Sequence, residues 1–296
     1  MRPASSLRRR LVAALLLAAI ASLVFASGAF ADFLTPESGG SRNADEIDSL
    51  YKLILYVAIV VFVVVEGALF YSLFRFRARK GRVAAQIHGN TRLELSWTIG
   101  AALILVVLTV VTFAKLGSIE HPPNGAGGLT LANGVLTAST TEPTPPNGEK
   151  VTICVTGRQY IWRYTYGASC QRNAFGLPYS YEEMVVPADT VVVLDIQATD
   201  VVHSWWIPKL GGKFDAVPGY RNFTWFSARH AGATYRGQCA ELCGRNHPDM
   251  IARVRVVTPS AFEAWIAAQK RAIAAANQQV QDLRDQLTRD GVLESS

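Results

Sequence analysis

Hydrophobic positions are spread unevenly along the chain: three apolar runs fall within the first 116 residues, and short β-type runs follow from Val151. The first apolar run, Leu11 to Phe25, is short. It follows Arg2, Arg8, Arg9 and Arg10 and precedes the small residues of Ala29-Phe30-Ala31. A basic start, a short apolar stretch and small residues at the cleavage positions predict a secretory signal peptide over residues 1–31, the competing reading being an uncleaved membrane helix. The next two runs, Leu53 to Phe74 and Leu95 to Leu116, are each long enough to cross a bilayer. They predict a two-helix transmembrane hairpin over residues 53–116. Residues 32–52 form a polar, exposed lead-in on the exported side.

Gly117 to Lys150 is rich in Gly, Pro, Thr and Asn and reads as a linker over residues 117–150, with one strand near Leu129 to Leu136. Beyond it the strand candidates are Val151–Thr156, Tyr160–Tyr166, Tyr181–Val186, Thr190–Gln197, Val201–Ile207, Asn222–Phe226 and Met250–Val257. Turn residues separate them at regular intervals, which predicts an antiparallel all-β sandwich or barrel over residues 151–258. Phe262 to Leu287 lacks Gly and Pro and predicts a helix after Pro259 and Ser260, so residues 259–296 are a helical tail. A solvated tail is expected there, with packing on a partner subunit as the alternative.

Charge fixes the orientation. Of a formal +6 over 296 residues, much of the excess sits beside apolar runs and sets topology, so no nucleic-acid partner is expected. Arg75, Arg77, Arg79, Lys80 and Arg82 lie between the two spans. The positive-inside rule places that loop in the cytoplasm and everything after Leu116 outside. The signal peptide independently gives the same orientation, a multi-pass protein of the plasma membrane with an extracytoplasmic C-terminal domain. Glu66 falls inside the first span, where a charge is costly. It faces a partner or a water path, or it is a protonated carboxyl packed between helices. No Cys-x-x-Cys-His sequence occurs, which excludes a fused c-type haem.

The chemistry is concentrated near the C-terminal end. Cys239, Cys243, His247 and Met250 follow one another in a Cys-x₃-Cys-x₃-His-x₂-Met run, and His203 precedes Ser204-Trp205-Trp206 upstream. Thiolate, thioether and imidazole donors together favour copper. A mononuclear blue-copper site uses one Cys, and this set has two. Two thiolates bridging two coppers, with one imidazole on each, would use the whole set. The alternatives are a short disulfide and a Cys₂His₂ zinc site, but structural zinc sites rarely add a thioether. The other two cysteines, Cys154 and Cys170, either form a disulfide or are two small buried thiols.

The run Tyr235-Arg236-Gly237-Gln238-Cys239-Ala240-Glu241-Leu242-Cys243-Gly244, with Asn246-His247 and Met250, resembles the CuA loop of the cytochrome c oxidase subunit 2 family. So does His203-Ser204-Trp205-Trp206-Ile207-Pro208, followed by Gly212-Lys213 and Asp215-Ala216-Val217-Pro218-Gly219. The resemblance implies a mixed membrane protein, with a transmembrane hairpin followed by an exported cupredoxin-like Greek-key barrel. It implies a dinuclear copper CuA centre with Cys239 and Cys243 as bridges, His203 and His247 as one ligand each, and Met250 as a weak ligand. It makes the backbone carbonyl of Glu241 the other weak ligand, and its carboxylate a ligand of a Mg or Mn ion shared with the catalytic subunit. The implied function is to accept electrons from cytochrome c and pass them to haem in catalytic subunit 1, where oxygen is reduced and protons are pumped. Further oxidase subunits are implied partners.

Three other positions take roles from the same resemblance. Gln159-Tyr160-Ile161-Trp162-Arg163-Tyr164 is similar to the family's aromatic strand, in which the residue after Gln is usually a Trp that receives electrons. Here Tyr160 holds that position, and Trp162 is expected on the same strand face. Glu94 matches an acid at the mouth of a proton-uptake channel, the bland reading being a helix-start acid. The family's docking surface is typically acidic. Residues 150–258 carry twelve Lys and Arg against eight Asp and Glu, a net +4. A less basic donor, or apolar docking, is therefore expected. A copper-dependent nitric oxide reductase subunit and a copper carrier are the competing functions. Carriers bind through fewer ligands, and quinol-oxidase subunits lack the copper ligands.

Overall fold

The computed structural model describes residues 34–78, 80–81, 83, 85–121, 130–132, 135–137, 150–167, 170, 176–290 and 292. The signal-peptide segment lies outside the described residues. Residues 38–296 form one compact unit, which is the unit described below.

Helix α1 runs from Arg42 to Arg75 and α2 from Thr91 to Glu120. Their most apolar windows have mean hydropathies of 2.8 and 2.4, and none of either window is buried in the chain itself. Apolar surface on all sides of a helix is the mark of a lipid-facing span. Asn90 caps α2 by accepting the Leu93 N–H at 3.2 Å, and the Glu94 carboxylate accepts the Asn90 N–H at 3.1 Å. Glu94 thus closes the helix start, the bland reading of this acid. Glu66 is half-buried along α1. At the opposite end of the hairpin Lys115 of α2 reaches Glu46 at 3.0 Å and Ser49 at 2.7 Å.

The lead-in is not an exposed segment. Its second half is the first part of α1, and Ser41, Asn43, Ala44 and Asp48 are buried. The Asn43 amide donates to the Trp225 carbonyl at 2.7 Å, and the Ser41 hydroxyl accepts the Ser227 N–H at 3.0 Å. Ser41 and Asn43 bury here because each finds a backbone partner on the β domain.

The strands are β1 (Thr130–Ala132), β2 (Val135–Thr137), β3 (Lys150–Arg158), β4 (Ile161–Tyr166), β5 (Tyr179–Tyr181), β6 (Glu183–Pro187), β7 (Val191–Ala198), β8 (His203–Trp206), β9 (Phe214–Ala216), β10 (Asn222–Ser227), β11 (Thr234–Cys239) and β12 (Ile251–Val257). The linker thus holds a two-strand antiparallel pair, not one strand. Two five-stranded sheets, ordered β10-β7-β3-β4-β5 and β6-β12-β11-β8-β9, enclose the core. Their inner faces meet through Ile153, Val155, Trp162, Tyr164, Leu194, Ile196, Trp205, Val254 and Val256, all buried. The sheets are not purely antiparallel: β3–β7 and β6–β12 are parallel, because the chain crosses between sheets. The single strand expected over Tyr181–Val186 is divided at Glu182, whose φ of 58° turns the chain from one sheet to the other. Helix α3, Pro259–Arg289, is capped by the Thr258 hydroxyl, which accepts the Ala261 N–H. Its first turns pack Phe262 and Trp265 against Tyr166, with Tyr166 and Trp265 centroids 4.9 Å apart, and the remainder is mostly exposed.

Candidate metal centre

The site lies at one end of the second sheet. His203 opens β8 and Cys239 closes β11, with Cys239 paired opposite Trp205. The loop beyond Cys239 returns through a short 3₁₀ turn, His247–Asp249, to Met250. The loop is anchored at both limbs: the Cys239 N–H donates to the Met250 carbonyl at 2.9 Å, and the Ala240 N–H to the Ser204 carbonyl at 2.9 Å. Two glycines make this geometry possible. Gly237 lies directly against the Trp206 carbonyl with no room for a Cβ, and Gly244 adopts φ 132° beneath the Tyr160 hydroxyl.

The candidate donors converge. Cys239 and Cys243 are free, buried thiols whose sulfurs are 4.0 Å apart. His203 Nδ1 lies 3.9 Å from Cys239 Sγ, and His247 Nδ1 lies 3.6 Å from Cys243 Sγ. Met250 Sδ is 3.9 Å from Cys243 Sγ, and the Glu241 carbonyl oxygen is 3.3 Å from Cys239 Sγ. His203, Cys239 and Cys243 place one ligand atom each within 4.8 Å of one another. His203, Cys239, Cys243 and Met250 are buried, His247 is half-buried, and the Glu241 side chain is exposed.

Electrostatics prepare one sulfur to be a thiolate. Burial opposes ionisation of Cys239, but hydrogen bonds from His203 and the adjacent backbone overcome it and bring the thiol down to about 6. Cys243 is pushed up to about 11, first by burial and then by the charge on Cys239. Burial works against the His203 imidazolium, yet Cys239 and Asp200 raise its pKa. Asp200 fixes the ring, with Oδ1 2.9 Å from His203 Nε2 and Oδ2 accepting the Gln159 N–H at 2.7 Å.

The aromatic pair divides. Tyr160 lies in the turn between β3 and β4, half-buried, whereas Trp162 is on β4 and fully buried. The Trp162 ring packs edge-on to the His203 imidazole, centroids 5.9 Å apart, and Gly157 leaves the space that both rings occupy. Glu94, at the start of α2, is not brought to this cluster. Sequence reasoning passed over Gln159, whose side chain donates to the Cys243 carbonyl at 2.7 Å. A polar residue ahead of an aromatic strand carries no signal for such a contact. The structure also closes the question left open for the other cysteines: Cys154 and Cys170 form a disulfide.

Comparison with known proteins gives the family. Residues 151–257 match the family described as "Cytochrome C oxidase subunit II, periplasmic domain", and residues 33–114 match its transmembrane domain. Cytochrome c oxidase subunit 2 of Thermostichus vulcanus is 32% identical over 274 residues, covering 82% of this chain and 80% of the relative. That of Cereibacter sphaeroides is 30% identical, covering 78% and 80%. A relative from Alkalihalophilus pseudofirmus is 31% identical over 74% of this chain, which spans 57% of that protein. Among solved structures, the periplasmic domain of cytochrome oxidase subunit II of Bradyrhizobium japonicum is 33% identical, covers 42% of this chain and 95% of its own, and has a TM-score of 0.37. Both the membrane hairpin and the β domain match, and relatives are aligned over four-fifths of their length, so the chain belongs to the cytochrome c oxidase subunit 2 family.

Proposed function

We propose that this chain is the electron-accepting subunit of a respiratory haem-copper oxidase, holding a dinuclear copper CuA centre between Cys239 and Cys243. The observation that carries the reading is the donor set: two free thiols 4.0 Å apart, each with an imidazole nitrogen within 3.9 Å. Sulfurs at that separation are far beyond the roughly 2.05 Å of a disulfide. They are within the span of two metal–thiolate bonds of about 2.3 Å. A tetrahedral zinc site would use four donors, whereas the Met250 thioether and the Glu241 carbonyl bring this set to six. Held by Cys239, Cys243, His203 and His247, copper would supply one-electron transfer with little nuclear reorganisation.

The protein's part is to hold these ligands rigid and dry. The buried Trp162, Trp205 and Phe226 exclude water, and Asp200 orients His203. The exposed Glu241 carboxylate offers a hard oxygen ligand for a Mg or Mn ion shared with catalytic subunit 1. Tyr160, on the rim of the loop, receives electrons from a cytochrome c. Trp162 supports the centre from below. Glu94, at the cytoplasmic end of α2, serves proton uptake into the catalytic subunit. The hairpin sits in the plasma membrane with the β domain outside.

Metal analysis and paramagnetic resonance of the purified complex test the reading. Two coppers for this chain and one unpaired electron shared by two copper nuclei are expected, and Cys239→Ser or Cys243→Ser abolishes the signal. A single copper, or zinc without colour, would sink the assignment.

A further inference from the structure

A groove of about 440 Å³ lies beside the metal loop, on the side of the β3–β4 turn. Arg158 and Arg163 line it together with Thr156, Gln159, Tyr181 and Thr199, and among the described residues its lining contains no acid. The Arg163 Nε is buried without a hydrogen-bond partner, while the guanidinium carbon sits 4.6 Å from the Tyr179 ring centroid. Stacking on an aromatic face holds the guanidinium plane, and the donors it can present are the terminal N–H groups and not the buried Nε. Arg158 is exposed at the end of β3 and joins no ion pair among the described residues.

The groove is coupled to the metal loop by direct contacts. Gln159 lines it and also donates to the Cys243 carbonyl, and the adjacent Tyr160 hydroxyl accepts the Arg245 N–H at 3.0 Å. Arg245 adds an exposed cation on the loop, three residues along from Leu242, which is 77% exposed. The nearby Asp200 keeps its charge, but its oxygens are turned to the Gln159 and Val201 N–H groups and to His203, and it forms no ion pair with Arg158 or Arg163 among the described residues. Glu241 and Asp249, the exposed acids of the loop, lie outside the groove lining.

We infer that this groove is the docking site for a protein electron donor that presents acidic side chains, with carboxylates held by Arg158 and Arg163 and apolar contact made around Leu242. Guanidiniums recognise carboxylates through paired N–H···O bonds. The exposed cations Arg158 and Arg245 would also steer an anionic partner towards this end of the domain. The inference rests on the proposed role of the centre as electron acceptor, and it gives the donor a charge opposite to that expected by an acidic docking surface.

The test uses the intact complex, mixed rapidly with a reduced acidic soluble cytochrome c and separately with a reduced basic one, at increasing salt. The acidic cytochrome should react faster, and its second-order rate should fall as salt rises. Arg158→Glu, an exposed change compatible with folding, should lower the low-salt rate with the acidic cytochrome by about tenfold and raise it with the basic one. Arg163→Gln should lower the first rate to a smaller degree, with the metal spectrum intact in both variants. An unchanged rate in Arg158→Glu, or faster and salt-sensitive reaction with the basic cytochrome, overturns the proposal. Cys239→Ser separates the two layers: loss of reduction by both cytochromes supports the acceptor role independently of the groove. Normal reduction of that variant removes the acceptor reading, and the docking proposal with it.

Discussion

The Tyr160 hydroxyl accepts the backbone N–H of Arg245 at 3.0 Å, so the residue proposed to receive electrons also clamps the metal loop. Tryptophan, which the family usually places here, has only an N–H donor and could not make this bond. Tyr160→Phe should retain the metals, cost the loop about 0.5–1.5 kcal/mol for one hydrogen bond, and shift the potential slightly. Tyr160→Ala should slow oxidation of the donor strongly while leaving donor affinity nearly unchanged. Transient kinetics of both variants decide the matter. Equal slowing in Phe and Ala would assign the electron path to the hydroxyl, and normal electron uptake in Ala would remove Tyr160 from the path altogether.

Asp200 and His203 form the second dependency. With Nε2 engaged by Asp200, His203 presents Nδ1 to the sulfur side of the site. Asp200→Asn should therefore weaken metal retention by about 10–100-fold, as loss of a ligand-orienting partner commonly does. Burial alone would raise the Asp200 pKa, but the Gln159 and Val201 N–H groups and His203 hold it below the ordinary carboxylate value. A depressed carboxylate contributes stability that is fully present above its unfolded pKa and lost only as pH falls through the lower folded one. Because Asp200, against the effect of burial, also raises the His203 pKa, protons compete with the metal at a higher pH in wild type than in Asp200→Asn, so the difference in affinity should be largest at about pH 8 and narrow towards about pH 5. A difference that widened towards the acid end of this window would contradict the assignment.

The ligand loop was legible because chemistry ties it to spacing: Cys239, Cys243, His247 and Met250 are close in sequence and close in space. The membrane spans were legible because a bilayer demands long apolar runs. Strands β9 and β11 were not. In Thr234–Cys239 only Tyr235 and Cys239 supply buried side chains, while the inward Gly237 has none, so alternation is faint. The docking of Ser41 and Asn43 onto β10 was equally hidden, since short polar residues before a span look like any solvated lead-in. What bound them was backbone partners nearly two hundred residues away, at Trp225 and Ser227. The Gln159 contact to Cys243 is of the same kind, a long-range hydrogen bond that no local pattern announces.

The Cys154–Cys170 disulfide should matter to stability and not to the metal. It closes a segment with a sequence separation of 16 on the first sheet, whereas the thiol ligands belong to the second sheet and its loop. The closed segment is further held by the Cys170 N–H donating to the buried Asp195 carboxylate, which also pairs with Arg221. Replacing both cysteines with Ser should cost about 3 kcal/mol, the value for a loop of this size. Thermal unfolding of the intact complex with and without the pair checks the cost. A changed copper spectrum at low temperature would show that the disulfide acts on the metal site through β3 and β4.

The last prediction is topological. At 34 and 30 residues, α1 and α2 are roughly 51 and 45 Å long, well beyond a hydrocarbon core of about 30 Å. The excess emerges on the side of the β domain: Asn43 of α1 binds the Trp225 carbonyl, and the Trp225 indole donates to the Ile119 carbonyl of α2 at 3.1 Å. Both contacts fall on one strand, β10, so the two helix ends that touch it lie on the same side of the membrane. The opposite ends carry Arg75 and the basic connection containing Arg77 and Lys80, which the positive-inside rule assigns to the cytoplasm. A cysteine introduced at Lys80 should react with a membrane-impermeant thiol reagent only in inside-out vesicles. One introduced at Arg289, near the end of α3, should react only from the outer face. Labelling of both positions from the same face would break the hairpin, and with it the placement of the metal loop outside the membrane.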